Sequence, residues 1–284
     1  MEYLILSAIV IGLSVQNISN KAFNEKCGNS PFTYSSLCAL CAALFFVFTS
    51  GMKFSFTPDI LVYSLLFGIT YALAIAATFI AIATGPLSLS TLIISYSLII
   101  PTFYGIFFLD ESVDATLIIG LVFLAISLFL VNYEKKTQEK HISAKWLLFV
   151  LIAFLSNGCC TLVQKIHQIK FDGAYKSEFM IIALLCAVMI LIIPALILER
   201  KNIKTSIKKG GIWIALYGIF NGLCNFLVML LAAKMSASVM YPLISAGGII
   251  LSYIVARFVY KEKLAPQQNI GVICGIIAVI LLNL

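Results

Sequence analysis

Three apolar stretches carry amides and lysines at helical spacing. Asn17 and Lys21 stand one turn apart near the start of the chain, beside Gln16 and Asn20. Asn157, Thr161, Gln164 and Lys165 repeat the pattern in mid-chain, and Asn221 and Asn225 are again four apart. Residues four apart share a helix face, so each stretch presents a polar stripe on an otherwise oily helix. Such groups are costly in hydrocarbon; they face a bundle interior or water and mark a solute pathway by default. The competing reading is that the amides glue helices together, at about 1 kcal/mol each. Tyr71, Tyr96 and Tyr241 offer hydroxyls and aromatic faces to the same cavity. The candidate substrate-binding set is therefore Asn17, Lys21, Tyr71, Tyr96, Asn157, Lys165, Asn221, Asn225 and Tyr241. Lys21 and Lys165 read in two ways: as contacts to an anionic or carboxylate group of a solute, or as side chains that snorkel to the headgroups from helix ends.

Other chemistries find little support. The two histidines, His141 and His167, fall in or near loops, and no intramembrane carboxylate pair, metal box or Ser/Lys dyad stands at a useful spacing. The reading is of a protein that is not an enzyme and takes no metal or cofactor. Seven of the eight cysteines lie in apolar segments, where a thiol behaves as a small polarizable hydrophobe. Neither Cys38/Cys41 nor Cys159/Cys160 has a second pair at zinc spacing.

The elements that must position these residues follow from composition. Of 284 residues, 62% are hydrophobic and 11% charged. A soluble domain needs about 25% charged residues to cover its outside, so the lipid bilayer is the partner this composition demands. Spans of about 20 residues read as 3–20, 32–50, 60–83, 87–109 and 115–133, then 146–164, 179–198, 212–233, 237–260 and 270–284. Asp59 and Asp114 stand where N-caps belong, and Pro266 precedes the last span. The first stretch lacks a basic leader and a small-residue cleavage site, so it reads as a span and not as a removable signal peptide. The longest polar connections are 134–145 and 199–210. The net charge of +7 reflects lysines in loops and not nucleic-acid binding. Ten spans put both termini on one side. Alternate connections carry 14 and five basic residues, and the positive-inside rule then places the termini outside.

The connection 134–145 divides the chain into two five-helix sets, 1–133 and 146–284, that resemble each other. A shift of 151 pairs Glu111 with Glu262, Gly120 with Gly271 and Asn132 with Asn283, and a shift of 144 pairs Lys21 with Lys165. An odd number of spans per repeat forces the second copy to enter from the opposite side. The fold class expected is thus an all-α integral membrane protein of ten transmembrane helices in two inverted repeats, an arrangement common in secondary transporters. Gly271 and Gly275, with Ala278 beyond, form a small-residue face for close helix packing, and Gly120 is their counterpart. Pro242 with Gly247-Gly248, and Pro101, are helix breakers that suit a flexible or cavity-lining ninth and fourth helix. Glu111 and Glu262 sit near the starts of the fifth and tenth helices, as dipole caps, as ion pairs with Lys261 or Lys263, or as proton-coupling groups.

The run Met240-Tyr-Pro-Leu through Lys261-Glu-Lys-Leu, then Gln267-Gln-Asn-Ile-Gly271 and an apolar tail, resembles the drug/metabolite transporter superfamily. The likeness is to its EamA-like ten-helix members and, distantly, to the small multidrug resistance proteins. The resemblance implies a central cavity from the first, third, fourth, sixth, eighth and ninth spans, and a tight pair of the fifth and tenth. Those small proteins export drug cations through a membrane-embedded carboxylate. This chain has no Asp or Glu at that depth. A small polar metabolite, neutral, zwitterionic or anionic, carried by alternating access across a bacterial-type plasma membrane fits better than multidrug cation efflux or a non-transporting scaffold. Oligomeric state is not legible.

Overall fold

A computed structural model of the chain describes residues 2–27, 30–51, 54, 55, 57–84, 90, 93, 94, 96–131, 143–254 and 266–282. Within them lie ten α-helices: α1 (Glu2–Cys27), α2 (Pro31–Thr49), α3 (Pro58–Thr84), α4 (Ile99–Phe108, preceded by a 3-10 turn at Tyr96–Leu98), α5 (Ala115–Val131), α6 (Ala144–Lys170), α7 (Lys176–Leu198), α8 (Ile203–Ala232), α9 (Ala237–Ile254) and α10 (Pro266–Leu281). α1, α2, α3, α6, α7 and α8 are long and apolar enough to cross a membrane. α4 with its turn, α5 and α10 are shorter apolar helices. The protein is an all-α integral membrane protein.

Helix starts follow local chemistry. The Asp114 carboxylate accepts the Leu117 amide at 2.7 Å and the Thr116 hydroxyl at 2.8 Å, capping α5. Those two bonds hold its carboxyl below the ordinary value. The Ser143 hydroxyl accepts the Trp146 amide at 3.1 Å at the head of α6. Pro31 and Pro266 open α2 and α10, where a missing N–H costs nothing.

Several boundaries correct the expectations. The polar connection expected over 199–210 is mostly helix, because α8 begins at Ile203. The helix of residues 146–164 continues to Lys170, so Lys165 is not a helix-end residue, and α1 likewise runs past Lys21 to Cys27. His167, expected in or near a loop, lies in the last turn of α6, fully buried, with its ring stacked 4.1 Å from Phe179. Glu262, Lys261, Lys263, Asn132, Asn283 and His141 lie outside the described residues, as do the side chains of Asn17 and Lys21.

The helices form two compact units, each drawing on both halves of the sequence. The first comprises Met1–Val10, Ala77–Leu162 and Lys234–Leu284; the second comprises Ile11–Ala76 and Val163–Ala233. In the first unit α5 and α10 pack closely and antiparallel. A Cβ on Gly271 would meet the Val131 backbone nitrogen at 2.8 Å, one on Gly275 would meet Ser127 Oγ at 2.9 Å, and one on Gly120 would meet Leu282 at 2.9 Å. The glycines therefore set the interhelix distance, as small-residue packing requires. Ala278 joins Leu124, Leu128 and Ala246 in the core of this seam. α9, helical straight through Pro242, packs on α4, α5 and α10. In the second unit α2 lies between α7 and α8. Gly218 makes room there for Cys41 and the Cys38 carbonyl, and Gly68 makes room for Ala183 and Cys186.

In each unit a carboxylate fastens the start of one helix to the end of another. Glu199, just past the end of α7 and 5% exposed, accepts the Phe32 and Thr33 amides of α2 at 2.9 and 2.7 Å, one on each oxygen. Glu111, just past α4, accepts the Ala237 and Ser238 amides of α9 at 2.7 and 2.8 Å in the same two-pronged way. Free amides at a helix start attract anions. The helix that Glu111 caps is α9, not the adjacent α5. Gly105 leaves the space for its carboxylate, since a Cβ there would overlap it.

Candidate substrate site

In the second unit four helices bring amides together. Asn221 and Asn225, one turn apart on α8, are the centre. Asn221 Nδ2 donates to Gln16 Oε1 of α1 at 3.0 Å, and Asn221 Oδ1 accepts the Tyr71 hydroxyl of α3 at 3.4 Å. Asn225 Nδ2 donates to Asn221 Oδ1 at 3.2 Å and to the Asn221 carbonyl at 2.9 Å. From α6, Gln164 Nε2 approaches the Asn225 carbonyl and Oδ1 at 3.3 and 3.4 Å. Gln16 closes the chain by donating to the Gly12 carbonyl at 3.4 Å. Gln16, Gln164 and Asn221 are buried, while Tyr71 and Asn225 are half-buried. The Tyr71 ring stacks on Phe67 with centroids 5.8 Å apart. Burial demands that these amides be satisfied, and here they largely satisfy one another.

Lys165 lies one residue beyond Gln164. It is 4% exposed, and its ammonium donates to the Ala232 carbonyl at 2.9 Å. That carbonyl belongs to the last turn of α8, where a cation complements the helix dipole. Further along α6 the Gln168 amide nitrogen lies 2.9 Å from His167 Nδ1, in a setting of Tyr63, Phe171 and Phe179 rings.

Asn157, Tyr241 and Tyr96 belong to the first unit. Asn157 Nδ2 donates to Ser97 Oγ at 2.8 Å, Tyr241 donates to the Thr161 carbonyl at 3.1 Å, and Tyr96 donates to the Ala125 carbonyl at 2.8 Å. So the structure gathers Tyr71, Asn221 and Asn225 into one cluster. It adds Gln16 and Gln164, which the helical spacing had flagged as polar without assigning to the site. Their signal was the same buried amide chemistry, carried by a side chain one methylene longer. Among the described residues no group of three or more His, Cys, Asp or Glu side chains could hold a metal.

A solved crystal structure matches at a TM-score of 0.78 with 11% identity, covering 98% of both chains, which speaks to the fold alone. The "Probable 4-amino-4-deoxy-L-arabinose-phosphoundecaprenol flippase subunit ArnE" of Pseudomonas fluorescens is 37% identical over 72 residues, 25% of this chain. The match spans 60% of that relative's length. The family described as sugar transport protein matches residues 6–283. With a match of that extent over an apolar, all-α fold, the chain belongs to the sugar transport protein family, membrane transporters of the drug/metabolite type.

Proposed function

We infer that this protein is a secondary transporter that moves an uncharged, polyhydroxylated solute of the sugar kind across a membrane by alternating access. One observation carries the reading: the network of Gln16, Tyr71, Gln164, Asn221 and Asn225. Each amide offers both a donor and an acceptor. Several of the bonds, at 3.2–3.4 Å, are longer than the usual 2.9–3.0 Å, so trading one for a solute hydroxyl costs little. No carboxylate takes part in these bonds, and the Lys165 ammonium already holds a carbonyl. A neutral solute is therefore favoured over a zwitterion or an anion. In this reading Asn17 and Lys21 extend the site along α1, and Lys165 holds the end of α8 in place. Asn157 and Tyr241 line the path within the first unit, whereas Tyr96 faces the groove between α4 and α5. The sugar transport family and the sugar-lipid flippase relative both point toward carbohydrate.

The mechanism needs two related halves, and we read 1–133 and 146–284 as inverted five-helix repeats joined by 134–145. Three pairs of helices at matching positions support this: α2 with α7, α4 with α9, and α5 with α10. In the first two pairs a carboxylate at the end of one helix caps the start of the other. In the third, Gly120 meets Leu282 while Gly271 meets Val131. All three pairs are thus antiparallel, as inversion requires. The excess of basic residues in one set of connections favours termini outside a bacterial-type plasma membrane; a fusion at Leu284 that fluoresces only in the cytoplasm would reverse that orientation.

The test is counterflow into proteoliposomes with labelled sugars, amino acids, organic anions and organic cations. Counterflow of a neutral sugar is expected. Accumulation of cations alone would install multidrug efflux instead, and no counterflow of any solute by folded protein would leave a scaffold.

A further inference from the structure

α4 and α5 follow one another in the chain and both pack on α9, yet among the described residues they scarcely touch each other. The splay leaves a groove of about 540 Å³ with α4 and α5 as walls and Pro242 and Ser245 of α9 as its floor. Along α5 it runs from Ile118 to Leu128. At about 1.5 Å per residue that is roughly 15 Å, half the hydrocarbon core of about 30 Å and so the depth of one leaflet.

The walls are open to the outside. Phe103, Phe107, Ile118 and Val122 are 46%, 70%, 53% and 52% exposed. Of the polar groups inside, Tyr96 donates to the Ala125 carbonyl and Thr102 to the Leu98 carbonyl, which leaves the Ser245 hydroxyl on the floor. No charged side chain lines the groove, so what it recognises is mainly hydrocarbon. It ends at Val113, in the connection between α4 and α5. That connection exposes Asp110 and Asp114 at the head of the groove. An anionic headgroup would be repelled there, and a primary ammonium would be attracted.

We propose that this groove seats one acyl chain of a zwitterionic, ammonium-bearing phospholipid of the phosphatidylethanolamine type, with its headgroup beside Asp110 and Asp114. A chain gripped by two walls and a floor touches protein on three sides, where ordinary boundary lipid touches it on one. It exchanges more slowly for that reason, and it fills the wedge that keeps α4 and α5 apart on α9.

The test uses the full-length protein in vesicles doped with diazirine-acyl phosphatidylethanolamine or, separately, diazirine-acyl phosphatidylglycerol. Irradiation is followed by peptide mapping. Labelling of 99–107 and 118–128 should exceed that of the exposed apolar stretch 193–198 of α7 by about five-fold, and phosphatidylethanolamine should lead phosphatidylglycerol by a similar factor, near the 1 kcal/mol that one surface charge is worth. Ala125→Trp should plug the groove and abolish the excess. Asp110→Asn, which the left-handed backbone at that position tolerates (φ 51°), should erase the headgroup preference and leave acyl labelling in place. Even labelling of the two surfaces, labelling that survives Ala125→Trp, or preference for phosphatidylglycerol would overturn the proposal. So would a photo-crosslinked dimer joined through 99–107 and 118–128, which would make the occupant a second copy of the chain. If Ala125→Trp does not fold, the surface ratio and the Asp110→Asn arm decide.

Discussion

Both units bury polar side chains in helices that must live in oil, but they satisfy them differently. In the first, three of the sequence-flagged polar residues bond a fixed partner: Asn157 has the Ser97 hydroxyl, Tyr241 the Thr161 carbonyl, Tyr96 the Ala125 carbonyl. In the second, amide answers amide through Gln16, Asn221, Asn225 and Gln164. Single bonds to fixed partners fasten helices. A chain of amide–amide bonds, several of them long, can let go of one partner and take another at little cost. The same residue type therefore does structural work in one place and, under the proposed function, recognises a solute in the other.

The sharpest way to break this contrast is to disturb a seam that has no slack. Gly271→Leu drives a side chain into the Val131 backbone and should lower stability in detergent by about 3 kcal/mol, an overpacking cost. Gly248→Ala, on α9 with nothing within 4 Å of the added Cβ, should be neutral or stabilising by up to about 1 kcal/mol. Equal melting temperatures for the two variants would remove the packing argument. Next in size, Glu199→Ala strips both amide bonds from the start of α2. It should cost about 3 kcal/mol, because bonds to a charged acceptor are worth about 1.5–3 kcal/mol each before helix ends regain partners. Glu111→Ala, at a half-buried position, should cost less than Glu199→Ala. The reverse ranking in a thermal melt would mean burial does not set the strength of these clamps.

Function separates the units more directly. Asn221→Ala removes the centre of the amide network, and solute affinity in an uptake titration should fall about ten-fold or more, some 1.4 kcal/mol. Asn157→Ala should leave affinity within about two-fold while lowering stability by about 1 kcal/mol. If Asn157→Ala proves the more damaging to affinity, the assignment of the site to the second unit fails.

The smallest effect concerns Asp114, whose bonds to Leu117 and Thr116 lower its carboxyl below the ordinary value of 3.8. A carboxyl lowered on folding stabilises above its unfolded value, and the contribution fades as pH falls through the folded one. The melting difference between wild type and Asp114→Ala should be constant at neutral pH and shrink below pH 3.8. A difference that persists at lower pH would show that Asp114 does not act as an ionised cap.

Much of this was written in local pattern. The glycines at 120, 271 and 275 announced the α5–α10 seam because small residues four apart have few other uses in an oily helix. Asn221 and Asn225 announced one face of the site by the same arithmetic. What local pattern could not carry was partnership across the chain. The Glu199 carboxylate meets amides 167 and 166 residues away, and Glu111 reaches 126 and 127. No periodicity encodes such a separation. Nor did spacing reveal that α6 continues through His167 to Lys170. The residues after Gln164 are polar and read as a helix end, yet Lys165, His167 and Gln168 are all buried, because tertiary packing and not composition decides where that helix stops.

The carboxylate clamps also impose an order on biosynthesis. A ribosome adding roughly 5–20 residues per second needs on the order of 10–30 s to travel from Phe32 to Glu199, the 167 residues that separate the first clamped amide from its acceptor. Throughout that interval α2 exists with its leading amides uncapped, and only the insertion machinery, lipid headgroups or water can satisfy them. The first five helices therefore cannot finish folding as they emerge. They must wait, partly assembled, for the second half of the chain to deliver the group that completes them.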